Sequence, residues 1–197
     1  GIHCLKYGLT TQNLMGVELV LMNGERIRLG GKHAGDGGLD LLSVVCGSEG
    51  LLGVVTEATL RILPKPPATR TLLIAFDTVR AAGETVAAII AAGIIPAALE
   101  FMDRRCIAAV EAFCAPDYPA NAEAILIGEI DGMPAEVADD ARRIKEVAMS
   151  CGATSVRDCV DDAERARVWS GRKAAFGAMG RLEPDMLCMD GTIPRKK

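Results

Sequence analysis

A chain of 197 residues, half of them apolar, can bury a real core as one domain or two small ones. Its 26 acidic and 22 basic residues leave a net charge of −4 with no basic block, which argues against a nucleic-acid footprint. No apolar run approaches the roughly 18 residues of a membrane span, and the opening Gly1-Ile2-His3-Cys4 lacks both an initiator Met and the plan of a signal peptide.

These features predict a cytoplasmic chain that begins within a longer protein. The seven cysteines show no C-x-x-C pair, so they read as reduced thiols, mostly small core residues. His3 and His33 stand far apart without ligand-like neighbours, and no metal site is expected.

In chain order, the first element is a hairpin. Val17, Leu19 and Leu21 alternate with Glu18, Val20 and Met22, and after Asn23-Gly24 the alternation resumes at Ile27 and Leu29. Asn-Gly at the tip predicts a type I′ turn. Gly30 to Gly38 carries five glycines and reads as a surface loop, since no strand feeds it toward a helix N-terminus. Asp40 suits the N-cap of a short helix over Leu41 to Val45, closed by Gly47.

Gly47, Gly50 and Gly53 then lead into Val54, Val55, Thr56, Thr59 and Ile62, a glycine-punctuated turn running into a β-branched strand. Bare backbone there suits close approach of a dinucleotide. The spacing is nevertheless neither the dinucleotide fingerprint nor a P-loop, and by itself reads as a tight turn.

Pro64-Lys65-Pro66-Pro67 cannot continue a ladder and marks a domain boundary. Beyond it, strand and helix alternate four times. Thr71 to Phe76 is a strand, and Val79, Ala82, Val86, Ile89 and Ile90 form a helical stripe stopped by Gly93. Leu99, Phe101 and Met102 lie in a second strand, before a helix with Ile107, Val110 and Phe113 on one side. Ala124 to Ile130 is a strongly apolar third strand, and Pro134 opens a helix that Gly152 closes. Thr154 to Val160 is the fourth, after which Asp161-Asp162-Ala163-Glu164 resembles a capping box opening a helix that carries Trp169. The class is α+β, with helices packed on one sheet in a ferredoxin-like α/β domain whose strand order the sequence does not give.

Two features could carry chemistry. Glu100 and Asp103 could form a carboxylate pair for acid/base work, although at a strand end they read better as solvent-facing or capping groups. Arg172 has the guanidinium fork that binds a carboxylate through two parallel hydrogen bonds. By its position alone it is a solvated arginine on an amphipathic helix. Lys173 points elsewhere and reads as surface.

Four segments, in one order, resemble a single family. They are Gly1-Ile2-His3-Cys4-Leu5-Lys6-Tyr7-Gly8-Leu9-Thr10, the hairpin Val17 to Leu29, Gly47 to Arg61, and Trp169 to Arg195 with Asp190-Gly191-Thr192-Ile193-Pro194-Arg195. The chain is similar to the FAD-linked D-2-hydroxyacid dehydrogenases of the bacterial glycolate oxidase flavin-subunit type. The resemblance implies that residues 1–64 are the second part of a two-lobed FAD-binding domain, built of β-hairpin, glycine turn and strand. Residues 65–197 would be the FAD-linked oxidase C-terminal, substrate-cap domain, incomplete at its C-terminus.

It further implies FAD contacts at Gly1, Gly8, Gly50, Gly53 and Val54, with Leu51 standing where many relatives have Thr. Arg172, in Trp169-Ser170-Gly171-Arg172, matches the W-x-x-R arginine that holds the substrate carboxylate. Cys188 replaces the Lys of hydroxyglutarate-oxidising relatives, which implies a monocarboxylic substrate such as glycolate or D-lactate. The family's base and metal-binding histidines would lie beyond Lys197, so no catalytic residue is expected within the chain. Other glycolate oxidase subunits are the implied partners, with membrane association possible only through them. The competing reading is a stand-alone, non-enzymatic α/β module that binds a ligand or protein.

Overall fold

A computed structural model describes residues 1–32, 38–159, 161–183, 185–189, 191 and 193. Most of the Gly30 to Gly38 loop, His33 within it, and most of Asp190 to Arg195 lie outside the described residues. The chain divides into two compact units: Gly1, His3 and Tyr7–Lys65 form one, and Ile2, Cys4–Lys6 and Pro66–Lys197 form the other.

A short helix α1 (Cys4–Tyr7), three of whose four residues fall in the second unit, precedes α2 (Thr10–Asn13) and β1 (Leu14–Val20), which belong to the first. β2 (Arg26–Gly30), α3 (Leu41–Val45) and β3 (Val54–Leu60) complete the first unit. Its sheet has the order β2-β1-β3 with both pairings antiparallel, and Val17 faces Leu29 while Leu19 faces Ile27. Val17, Leu19 and Val45 are its buried core. Asp40 caps α3 as expected, accepting from the Ser43 amide at 3.0 Å.

The hairpin tip is not the expected type I′ turn. Gly24 adopts φ +83°, but Asn23 is not among the residues with positive φ. The Gly24 amide donates to Leu21 O and the Leu21 amide to Glu25 O. Met22-Asn23-Gly24 is therefore a three-residue loop, a type I turn followed by a left-handed glycine that forms a G1 bulge.

In the second unit the chain runs β4 (Ala68–Phe76), α4 (Val79–Ala91), β5 (Ala98–Asp103) and α5 (Arg104–Cys114). It continues through β6 (Ala124–Gly132), α6 (Pro134–Ser150), β7 (Ala153–Asp158) and α7 (Asp162–Leu182). Side-chain caps open the helices: Thr78 for α4, Asp103 for α5 and Asp161 for α7. Gly93 and Gly152, at φ +76° and +92°, turn the chain out of α4 and α6.

The four strands are antiparallel in the order β5-β6-β4-β7. Counted within the unit this is second, third, first, fourth, the ferredoxin-like order, with α5 inserted between the second and third strands. Both faces of the sheet are covered. Leu72, Ile74, Phe76 and Leu126 pack with Ile89, Ile144 and Ala148 of α4 and α6. Leu73, Ala75, Ile125 and Ile127 pack with Val110, Val168 and Trp169 of α5 and α7. That two-sided burial explains why β4 and β6 are continuous apolar runs and not alternating ones.

Candidate functional site

α7 lies over the sheet and is fastened to it by arginine–carboxylate pairs two turns apart. Glu129 and Thr71 are cross-strand partners on β6 and β4, so their side chains share the face that α7 covers. Glu129 Oε2 accepts from Thr71 Oγ1 at 3.2 Å, from Arg165 Nε at 3.0 Å and from Trp169 Nε1 at 2.8 Å. A carboxylate only 6 % exposed inside an apolar layer needs such donors to remain there.

Arg172 follows Arg165 by seven residues and makes the second fastening. Its Nε donates to Glu100 Oε2 at 2.7 Å. Glu100 sits on β5 opposite Ile127, on the same face of the sheet as Glu129. The pair is partly desolvated, with side chains 31 % and 17 % exposed for Arg172 and Glu100. Nη1 and Nη2 of Arg172 have no hydrogen-bond partner among the described residues. The guanidinium is thus anchored at one corner, with its two-pronged end available to a carboxylate.

Of the two carboxylates singled out in the sequence, Asp103 is a helix cap, accepting from the Cys106 amide at 2.8 Å. Glu100 is the partner of Arg172, which a separation of 72 residues concealed. Lys173 is exposed, as expected. The residues after Trp169 also have a packing reason. A Cβ at Gly171 would lie 2.5 Å from Tyr118 Oη and 2.7 Å from Pro116 Cγ. Tyr118 donates through that hydroxyl to Val168 O at 2.5 Å, and burial pushes its phenol well above the usual range.

The glycines expected near a cofactor differ among themselves. Ser48 to Leu51 form a tight turn in which Glu49 and Gly50 have φ +52° and +82° and the Leu51 amide donates to Ser48 O at 2.9 Å. Two consecutive positive φ values make this a type I′ turn. Gly50 has open space where a Cβ would stand, and its amide has no partner among the described residues. That combination fits close approach of a phosphate-bearing ligand.

Gly53 has a different reason, because a Cβ there would lie 2.5 Å from Val20 O of the neighbouring strand. Gly8 adopts φ +81° beside the Gln12 side chain. Gly1 is exposed with nothing near it, and the Val54 side chain is exposed at the start of β3. Among the described residues no three His, Cys, Asp or Glu side chains are gathered as a metal site. No helix described is long and apolar enough to cross a membrane.

Comparison with known proteins gives a consistent picture. Residues 65–197 match the family model of FAD linked oxidases, C-terminal domain. The whole chain is 52 % identical over 196 residues to the glycolate oxidase subunit GlcD of Escherichia coli K12, covering 39 % of that protein. It is 40 % identical over 198 residues to GlcD of Bacillus subtilis, covering 42 % of it. Over 96 % of the chain it is 30 % identical to a D-lactate dehydrogenase of Anaerostipes hadrus, covering 41 % of it. The chain therefore spans about two fifths of the length of these relatives. Among solved structures, an alkyldihydroxyacetonephosphate synthase superposes with TM-score 0.70 at 17 % identity, covering 94 % of this chain and 37 % of that one. Substrate-bound p-cresol methylhydroxylase gives 0.59 at 16 % identity, over 80 % and 37 % of the two chains.

Proposed function

Because the chain belongs to the FAD-linked oxidases through its C-terminal domain, residues 65–197, we propose that the protein containing it oxidises a small D-2-hydroxy acid, glycolate or D-lactate, to the 2-oxo acid. The carrying observation is Arg172, which among the described residues is anchored through Nε alone, with no partner on Nη1 or Nη2, at a partly desolvated position. FAD, when bound, supplies the acceptor for the hydride leaving C2 of the acid.

The chain's own residues bind and orient. The Nη1/Nη2 end of Arg172 takes the substrate carboxylate in two parallel hydrogen bonds, which fixes both position and plane of the acid. Gly50, with its open face and an amide unpartnered among the described residues, is the residue best fitted to a cofactor phosphate, and Gly1, Gly8, Gly53 and Val54 are assigned to the same cofactor on the family pattern. Removal of the hydroxyl proton is assigned to no residue of this chain.

The GlcD relatives are called subunits, which supports an assembly with other glycolate oxidase subunits as the working form. A cytoplasmic location, with any membrane association through those partners, accords with the absence of a spanning helix among the described residues. Anaerobic addition of glycolate or D-lactate to the full-length flavoprotein is the test. Bleaching of the oxidised flavin spectrum by either acid is expected, and a spectrum that neither acid changes overturns the substrate assignment.

A further inference from the structure

The geometry points to Glu100 as a positioning residue for substrate binding: it holds Arg172 by Nε so that the Nη1/Nη2 end is presented, already oriented, to the carboxylate of the 2-hydroxy acid. This rests on the functional reading above and adds to it a residue on a different element.

Three arginines of α7 meet carboxylates in different ways. Arg165 is engaged at two places, by Glu129 on Nε at 3.0 Å and by Asp162 near Nη1 at 3.8 Å. Arg167 approaches Asp117 through Nη2 at 3.6 Å. Arg172 shares the Nε bond with Arg165, but among the described residues no carboxylate stands near its terminal nitrogens. A carboxylate meant only to neutralise the arginine would gain a second bond by taking the Nε/Nη edge or the Nη pair. A single contact at Nε fixes the plane of the guanidinium and keeps its end clear.

Arginine has several rotatable bonds, and ordering it at the moment of binding costs affinity. Holding it beforehand removes that cost. β5 can do so because Glu100 lies in a strand paired along its length with β6 and faces α7 by register. Arg172 in turn stands in a helix pinned two turns earlier by the Glu129 cluster. The two carboxylates make different contributions: Glu129 seats the helix, and Glu100 aims one side chain on it.

The test uses the full-length flavoprotein with four proteins in parallel: wild type, Glu100→Ala, Glu100→Gln and Glu129→Gln. Turnover with glycolate and an artificial electron acceptor gives KM and kcat. Calorimetric titration with oxamate, a monocarboxylate with no C2 hydrogen to transfer, gives affinity without turnover. For Glu100→Ala, KM and the oxamate Kd should rise about tenfold, the order of one weakened charge-assisted hydrogen bond, with kcat within about twofold and flavin content unchanged.

Glu100→Gln keeps an acceptor for Nε and should recover most of the loss. Glu129→Gln should lower Tm while leaving KM and Kd near wild type. If Glu100→Ala leaves both constants unchanged, or Glu129→Gln raises them equally, the positioning role is overturned while the substrate reading stands. If neither glycolate nor D-lactate bleaches the wild-type flavin, the substrate reading fails first and this inference falls with it.

Discussion

At the scale of single residues, the contrast between Arg172 and Lys173 states the problem of reading a helix. Adjacent positions point about 100° apart, so one of the pair turns to the sheet and meets Glu100 while the other is exposed. Replacing Arg172 with Lys keeps the charge but removes the planar fork. The expected result in the full-length protein is a loss of roughly ten- to a hundredfold in kcat/KM for the hydroxy acid, equal to about 1.5–3 kcal/mol, with flavin content intact. Steady-state kinetics on flavin-normalised enzyme checks it, and an unchanged value removes Arg172 from the substrate site.

The cysteines give a second residue-scale expectation. Cys159 is half-buried, and burial, followed by the nearby Glu164 carboxylate, pushes its thiol up to about 11. Cys106 is raised as well, first by burial and then by Asp103. A raised thiol pKa means that the folded state holds the proton more tightly than the unfolded chain. The stabilisation is therefore complete below the ordinary thiol range and is lost as pH rises through the folded value. At pH 8, alkylation by iodoacetamide should mark the exposed Cys4, Cys114 and Cys188 before Cys106 and Cys159. Mass spectrometry of a time course decides it, and equal rates would contradict the burial.

At the scale of elements, the legible parts were those fixed by neighbours in sequence. Asp40, Asp103 and Asp161 sit where their caps require, and the apolar stripes of α4 and α6 face the sheet. What escaped was set by distant partners. The Asn23-Gly24 dipeptide signals a type I′ turn, yet strand pairing at Leu19 with Ile27 and Leu21 with Glu25 leaves three residues at the tip and only Gly24 left-handed. The type I′ turn lies instead at Glu49-Gly50, where a glutamate in the left-handed region gave no sequence signal.

Glu129 did have a signal, as the lone carboxylate in the run Ala124 to Ile130. A charge in a doubly covered strand must have donors overhead. Its loss should be expensive: Glu129→Ala orphans Trp169 Nε1 and unpairs Arg165. Allowing for an Arg165 side chain that is 37 % exposed, we expect about 2–4 kcal/mol of destabilisation. Chemical denaturation monitored by the fluorescence of Trp169, the single tryptophan, measures it directly. A change below about 1 kcal/mol, the level of an exposed ion pair, would mean that the cluster is not what seats α7.

At the scale of the whole molecule, the two units differ in how far their sheets are covered by the residues described. The second has its sheet covered on both faces with separate cores, whereas in the first Val17, Leu19 and Val45 are buried and Val44, Leu52, Val54 and Val55 are exposed. The motif order along the chain revealed the family, because four short matches in sequence constrain one another. It could not reveal the strand order of the second sheet, since that depends on pairings such as Ala68 with Gly132, which no local pattern encodes.

β3 has a practical consequence for anyone handling this polypeptide by itself. It is hydrogen-bonded to β1 along one side and stands at one margin of its sheet, with the β-branched Val54, Val55, Thr56 and Thr59 among its seven residues. Such a margin is a template for another chain to add a strand. Concentrated samples should therefore self-associate, with the average mass in light scattering climbing as concentration rises and falling on dilution. A lysine in place of Val55, whose side chain is half in solvent, should suppress the climb without disturbing the buried residues of that unit. The stickiness of the preparation would then be traced to the β3 margin in preference to the other edge strands, β2, β5 and β7, and its cure to a single positive charge.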